Sequence, residues 1–227
     1  MEQKEKLTIE KLIEEAQLFC VDQSKFRHKE LFGVTDCKAV GTLIEQKFQK
    51  HLNDKYIVTV GSSAKGIDLP SDDILTDIKV TSIKQPQSSC PFRDAKQKIF
   101  GLGYNLLVFV YDKTDDPATQ TAILNFVSCS FVSKDRTADY TTTSILNDMK
   151  KVEANEDDIV AFLEGIKLPA DEITLQQIAG IILATEIPIG YLTISNALQW
   201  RLQYKRIVNL TDDVPGVEKI ISYNKPE

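Results

Sequence analysis

The side chains best suited to chemistry lie in "GIDLPSDDILTDIKVTS", Gly66 to Ser82, where Asp68 and Asp77 precede Lys79. Alternation along a strand sets Leu75, Asp77, Lys79, Thr81 and Ile83 on one face and Ile74, Thr76, Ile78, Val80 and Ser82 on the other. Asp77 and Lys79 are then neighbours, roughly 7 Å apart. Asp68 lies on a preceding extended piece, and the "LPSDD" bend returns the chain so that Asp68 can meet Asp77. Two carboxylates brought together repel and lose hydration, and a divalent cation between them relieves both costs. Mg2+ takes hard oxygen ligands. Asp68, Asp77, the backbone carbonyl of Ile78, water and a phosphate oxygen would satisfy it. The Lys79 ammonium beside coordinated water would help generate hydroxide or hold charge developing at phosphorus. That is the equipment for phosphodiester hydrolysis.

The elements that must position these groups follow from periodicity. Leu7, Ile9, Leu12, Ile13, Ala16 and Phe19 recur at helical spacing over residues 5–20. Residues 38–52 give a second helix with Val40, Leu43, Ile44, Phe48 and Leu52 on one side and Glu45 bordering that side. The period then shortens to two. "YIVTV" reads as a strand, "GSSAKG" as a turn, "IDLPS" as a short extended piece and "ILTDIKVTSI" as a strand. "FRDAKQKIFGLGYN" predicts a helix ended by Gly101 and Gly103. "LLVFVYDK" predicts a strand covered on both faces, and "TAILNFVSCSFVS" a further strand. Beyond residue 134 the chain turns polar and then helical, with "DDIVAFLEGIKL", "TLQQIAGIILA" (Thr174 and Gln177 as a capping box) and a long last helix over "YLTISNALQWRLQYKRIV". The order predicts an α/β fold, with a mixed sheet flanked by helices and a helical C-terminal region.

At this point the residues carry a resemblance. Ile67-Asp68 followed by Asp77-Ile78-Lys79 resembles the PD-(D/E)XK motif of the nucleases that include type II restriction endonucleases. The helix, three strands, helix, strand order over Lys38 to Ser133 is similar to their αβββαβ core. The resemblance implies a domain at 38–133, preceded by a helical segment (1–37) and followed by a helical region (134–227) that could read DNA. It implies Asp68 and Asp77 as metal ligands, Lys79 as the catalytic lysine and Glu45 as the acid that some members add from the preceding helix. The implied cofactor is Mg2+, and the implied product carries a 5′-phosphate. Ile67 stands where the motif has proline, and the second acid is Asp, which reaches less far than Glu.

Two stretches offer groups for DNA. "TSIKQPQSSCPF" is a semi-rigid polar loop whose Lys84, Gln85, Gln87, Ser88 and Ser89 suit phosphate oxygens and base edges. On the predicted last helix, Asn196, Gln199, Gln203 and Arg206 share a face, and these side-chain types pair bidentately with adenine and guanine. With "TEIPIG" before it, this helix could complete a helix-turn-helix-like unit. Trp200 reads as an anchor to the main domain. The N-terminal helix is a candidate dimer contact, since two-fold duplex sites favour homodimers.

Composition narrows the field further. Of the 227 residues, 42% are hydrophobic and 26% charged, as in ordinary globular chains. The net charge of −6 hides basic blocks: Lys79, Lys84, Arg93, Lys96, Lys98 and Lys113 against Asp94 and Asp112, then Arg201, Lys205 and Arg206 without an acid from Ile187 to Leu210. Cys20, Cys37, Cys90 and Cys129 are scattered without a CxxC pair, which argues against zinc and for free thiols in a reducing cytoplasm. His28 and His51 lack ligand-spaced partners, and His51 reads as a core-edge residue. "GSSAKG" lacks P-loop spacing. The charged start lacks an apolar leader core, and "IAGIILATEIPIGYLTI" is interrupted by Glu186 and Pro188, so no membrane association is expected. The acid–acid–lysine set and the family it resembles imply a Mg2+-dependent, sequence-specific endonuclease of double-stranded DNA. A structure-specific repair or recombination nuclease and a non-catalytic helix-turn-helix DNA-binding protein are the alternatives.

Overall fold

Thr8 and Asp36 begin the two helices on which the first layer rests. The Thr8 side chain accepts from the Lys11 N–H (3.3 Å) and that of Asp36 from the Lys38 N–H (2.9 Å), satisfying donors that a helix start leaves open. In the computed structural model, which describes residues 4–61, 66–90, 93–195 and 200–224, the elements follow in this order. They are β1 (Glu5–Lys6), α1 (Ile9–Lys25), β2 (Arg27–His28), α2 (Cys37–Lys55), β3 (Tyr56–Ile57), β4 (Thr76–Ser82), β5 (Gln87–Cys90), α3 (Gln97–Phe100), β6 (Asn105–Asp116) and β7 (Thr121–Val132). After them come α4 (Tyr140–Lys151), α5 (Glu156–Gly165), α6 (Glu172–Ala184), β8 (Thr193–Ser195), β9 (Trp200–Gln203), α7 (Lys205–Val208) and β10 (Val217–Ile221). The chain divides into two compact units, one of residues 1–86, 104–132 and 208–227, the other of 87–103 and 133–207.

The first unit is a mixed sheet in the order β10-β7-β6-β4, with β2 also on β7. β4 runs parallel to β6, and the β6–β7 and β7–β10 pairs are antiparallel. Asn105 to Tyr111 of β6 are all buried, as the unbroken apolar run requires. Leu107, Phe109 and Tyr111 join a core with Leu12, Ala16 and Phe19 of α1 and Val40, Ile44, Phe48 and Leu52 of α2. Phe48 packs against Phe19 in a tilted pair and against Phe109 edge to face, with ring centroids 5.0 Å apart in each. Truncating such a ring to alanine costs about 3–5 kcal/mol, so these contacts fix α2 on the sheet. A buried carboxylate adds a second tie. Glu15 of α1 accepts from His51 (2.6 Å), Lys55 (2.7 Å) and Tyr56 (2.8 Å). Burial raises the Glu15 pKa, but these donors outweigh it and hold the group below its usual range.

The second unit packs α3, α4, α5 and α6 around Ile99, Leu146, Ile159, Leu163, Leu175, Ile178 and Ile182. Its strands form a separate antiparallel sheet in the order β5-β9-β8.

Several expectations are corrected here. Residues 193–195 and 200–203 are strands, and α7 has only four residues, so the long last helix does not form. The helix-turn-helix-like unit goes with it. Period-two burial (Ile194, Trp200, Leu202 inward) overrode the helical spacing of the same apolar residues. The capping residue of α6 is Asp171, whose side chain accepts from the Thr174 N–H (2.7 Å), rather than Thr174. The "QSSC" segment is strand β5 rather than loop, and β3 keeps only the first two residues of "YIVTV". Most of the "GSSAKG" turn, 62–65, lies outside the described residues. No described helix is long and apolar enough to cross a membrane.

Candidate active site

An open strand edge organises the acids. Leu75 C=O accepts from Asn105 N–H and Ile83 N–H donates to Tyr111 C=O, both at 2.8 Å, so odd positions around β4 bond toward β6. Even positions face outward. Thr76 pairs with Leu69 at 2.9 and 3.0 Å, and the Ile78 N–H donates to Asp68 Oδ2 at 2.8 Å. The N–H and C=O of one strand residue leave on the same edge, so the Ile78 carbonyl opens where Asp68 stands.

Asp68 is held from three directions. Its Oδ2 takes the Ile78 N–H, and its Oδ1 accepts from Gln49 Nε2 at 3.2 Å. Its backbone carbonyl accepts from the Gly61 N–H at 2.7 Å. A Cβ on Gly61 would fall inside the Ile67 carbonyl, so this approach needs glycine. The bend before β4 carries Leu75 at φ +29°, an unfavourable region for a branched side chain. Asn105 fixes it, donating from Nδ2 to Ile74 C=O at 2.7 Å and from its N–H to Leu75 C=O. Strain of about 1–3 kcal/mol persists where neighbours over-determine the backbone in this way.

Asp77 and Lys79 share a face, as alternation requires, with Nζ 2.7 Å from Oδ2. Asp77 is buried, and Lys79 is mostly so. Asp68 lies close enough to Asp77 and Glu45 to raise the pKa of each. Glu45 and Gln49 sit one helical turn apart on α2 and both look toward Asp68. Burial, with help from Asp68 and against the pull of Lys79, pushes the Glu45 carboxyl up to about 8. Burial likewise raises Asp77 to about 7, with Lys79 opposing and Asp68 adding to the rise. Burial disfavours the Lys79 ammonium, yet Asp77, Asp68 and Glu45 outweigh it and raise its pKa. The cluster therefore retains a proton among its carboxyls near neutrality while Lys79 stays charged.

Such a set fits a hard dication by its donor chemistry: three carboxyls that cannot all ionise comfortably, and a carbonyl on the same edge. Among the described residues, no group of three or more His, Cys, Asp or Glu is gathered as a metal cluster. The acids are occupied by internal donors, Asp68 by Gln49 and Ile78 and Asp77 by Lys79.

The residues expected to meet DNA are dispersed. Lys84 and Gln85 are exposed in the turn after β4, where both N–H groups bond to Ser82. Gln87 and Ser89 lie on β5, and Gln203 is opposite Gln87 on β9. Ser88 turns to the other face and meets the Tyr204 hydroxyl at 2.5 Å. Arg206 does not share a helix face with Gln203; its guanidinium lies over the Tyr140 ring at 3.5 Å. Asn196 and Gln199 lie outside the described residues. Trp200 is buried on the covered face of its sheet. His51 serves Glu15 at the core edge, as its helical position predicts. Gln49 was not anticipated, although its i+4 spacing from Glu45 was available as a signal.

Comparison with known proteins gives two similarities. The family model of type II restriction enzyme NspV matches residues 6–219. Type II restriction enzyme NspV of Nostoc sp. is 49% identical over 218 residues, which are 96% of this chain and 98% of that protein. No solved structure matches the chain.

Proposed function

The chain belongs to the type II restriction enzyme NspV family, and on that footing we propose that it is an endodeoxyribonuclease acting on double-stranded DNA. It cuts at a short sequence with Mg2+ as cofactor and leaves 5′-phosphate and 3′-hydroxyl ends. The observation that carries this reading is the convergence of Glu45, Asp68, Asp77 and Lys79 at the open edge of β4. On this reading α2, β4, β6 and β7 belong to a restriction-endonuclease-like αβββαβ core.

Asp68, Asp77 and the Ile78 carbonyl would hold the cation, with Glu45 as a further acid. When bound, it neutralises the carboxylates and withdraws charge from the phosphate. Asp68 is oriented by Gln49 and the Ile78 N–H, so its carboxylate needs little rearrangement. Lys79 is kept protonated by the acids beside it. Its Nζ, relieved of Asp77 when that charge is compensated, hydrogen-bonds a nonbridging phosphate oxygen as negative charge builds. A single preorganised donor of this kind contributes about 10²–10³-fold in rate. Lys84, Gln85, Gln87 and Ser89 are proposed DNA contacts, and a homodimer working in the cytoplasm is the proposed assembly.

The test is plasmid digestion with Mg2+ and sequencing of the ends. Discrete fragments with 5′-phosphates support the reading, whereas a sequence-independent ladder favours a structure-specific nuclease. Asp77→Asn should bind DNA and lose cutting by roughly a thousandfold or more, as for an essential member of a catalytic set. Full activity of Asp77→Asn would remove the assigned role.

A further inference from the structure

The small sheet of the second unit has two chemically opposite faces. Pairing sets Gln87, Gln203 and Thr193 in one row and Ser89, Arg201 and Ser195 in the next. Directly opposed residues share a face, and so do alternate residues along each strand. All six side chains therefore project on one side. Cys90, Ile194, Trp200 and Leu202 fill the other side and are buried.

We propose that the polar face of β5, β9 and β8 reads base edges of duplex DNA in the major groove, with Arg201 and Gln203 as its principal specificity-determining residues. This rests on the nuclease reading above and names the part of the protein that selects its site. The side-chain types carry the argument. Arg pairs bidentately with guanine and Gln with adenine, and Ser and Thr hydroxyls accept or donate to either. The face holds no carboxylate, in a chain of net charge −6. A face built only for solubility in an acidic protein would mix both signs. Arg201 and Ser89 are exposed.

Geometry agrees with chemistry. Side chains two residues apart on a strand are separated by roughly 7 Å, which is two base-pair steps of about 3.4 Å. Neighbouring strands are about 4.8 Å apart, so the three strands present a strip about 10 Å wide to a groove about 12 Å wide. The strip is also rigid. Its buried side is anchored by Trp200 and Leu202, Ser88 bonds Tyr204, and the Ile194 N–H donates to the buried Asp139 carboxylate at 2.7 Å. Asp139 also caps α4 through the Thr142 N–H at 2.8 Å, tying the sheet to the helices of its own unit. Readers mounted on a pinned strand lose little entropy on contact.

The experiment uses the full chain and duplex oligonucleotides carrying the site found by sequencing plasmid-digest ends, together with every single-base-pair variant of that site. The readout is the ratio of cleavage efficiency between the site and each variant, for wild type, Arg201→Ala, Arg201→Lys and Gln203→Ala. Base reading predicts that each substitution shrinks the ratio by roughly 10- to 100-fold at one base-pair position and leaves the others unchanged. Arg201→Lys should fail like Arg201→Ala, because the fork geometry is lost while the charge is kept. A uniform loss across all sequences, rescued by Arg201→Lys and accompanied by a salt slope reduced by about one, would make Arg201 a phosphate contact and overturn the proposal. Unchanged ratios in all three variants would overturn it as well. A wild type that cuts no duplex removes the nuclease reading itself, a different result from a nuclease whose specificity ignores this face. Melting temperatures equal to wild type separate these outcomes from misfolding.

Discussion

Replacing Glu45 by glutamine should stabilise the metal-free protein, and by more as pH rises. The Glu45 carboxyl is raised from 4.5 to about 8, by burial first and then by Asp68, with Asp77 adding to the rise and Lys79 opposing. A group raised on folding contributes stability that is complete below its unfolded pKa and is lost as pH climbs through its folded pKa. The window here runs from 4.5 to about 8. Each unit in that window corresponds to about 1.4 kcal/mol, or about 3 kcal/mol by neutral pH if the whole shift belonged to this residue. Glu45 is partly exposed and competes for its proton with the raised carboxyl of Asp77, so about half of that, roughly 1.5 kcal/mol, is expected. Glutamine reproduces the protonated acid, including a donor toward Asp68, and never ionises. Thermal melts in EDTA should show Glu45→Gln above wild type by about 3–6 °C near pH 7 and by no more than about 2 °C near pH 5. Added Mg2+ should narrow the gap, because a cation bound to the acids stabilises the ionised wild type by mass action. A variant less stable than wild type near pH 8, or a gap that ignores pH, would refute the picture of a carboxyl cluster strained by its own charge.

Three further outcomes follow from the same structure. Gly61→Ala should move Asp68, because its Cβ would enter the Ile67 carbonyl; cutting should fall about 100-fold, the scale of a misplacement near 1 Å, and the melting temperature should drop as well, because backbone has to give way. Glu15→Ala removes the acceptor of His51, Lys55 and Tyr56, two of which can turn to water, so urea unfolding should register a loss of about 2 kcal/mol rather than the larger loss of a sealed ion pair. His28 is fully buried, and burial and Lys47 lower its pKa against the pull of Glu30. Its contribution is complete above 6.5 and drains as pH falls, by at most about 1.4 kcal/mol per unit. The stability difference between His28→Gln and wild type should therefore shift in favour of the variant as pH falls below about 6.5 and stay flat above it.

The first unit was readable because its signals are local and agree with one another. The apolar positions of α1 and α2, the unbroken run of β6 and the alternation of β4 each point to a single element, and the core uses nearly all of them. The acid cluster was half legible. Alternation placed Asp77 beside Lys79, and the bend brought Asp68 to the same strand. What alternation could not show is that Asp68 bonds to the edge of β4 rather than standing on its face. That depends on which backbone groups β6 consumes, a long-range fact. The error in residues 191–208 has a related cause. Ile194, Leu198 and Leu202 recur every four residues, and every fourth residue also returns to the same face of a strand. Helix and strand therefore predict the same apolar positions, and only the intervening residues differ. Trp200 belongs with Leu202 and Ile194 on one face, and Arg201 and Gln203 belong together on the other. The partner that decides between the two readings is β5, about 110 residues earlier in the chain. Its own polar residues made it resemble a loop, because half of its side chains were never meant for a core. Strands that carry polar residues on one whole face lose the apolar signal that marks a regular element, and local sequence patterns underrate them for that reason.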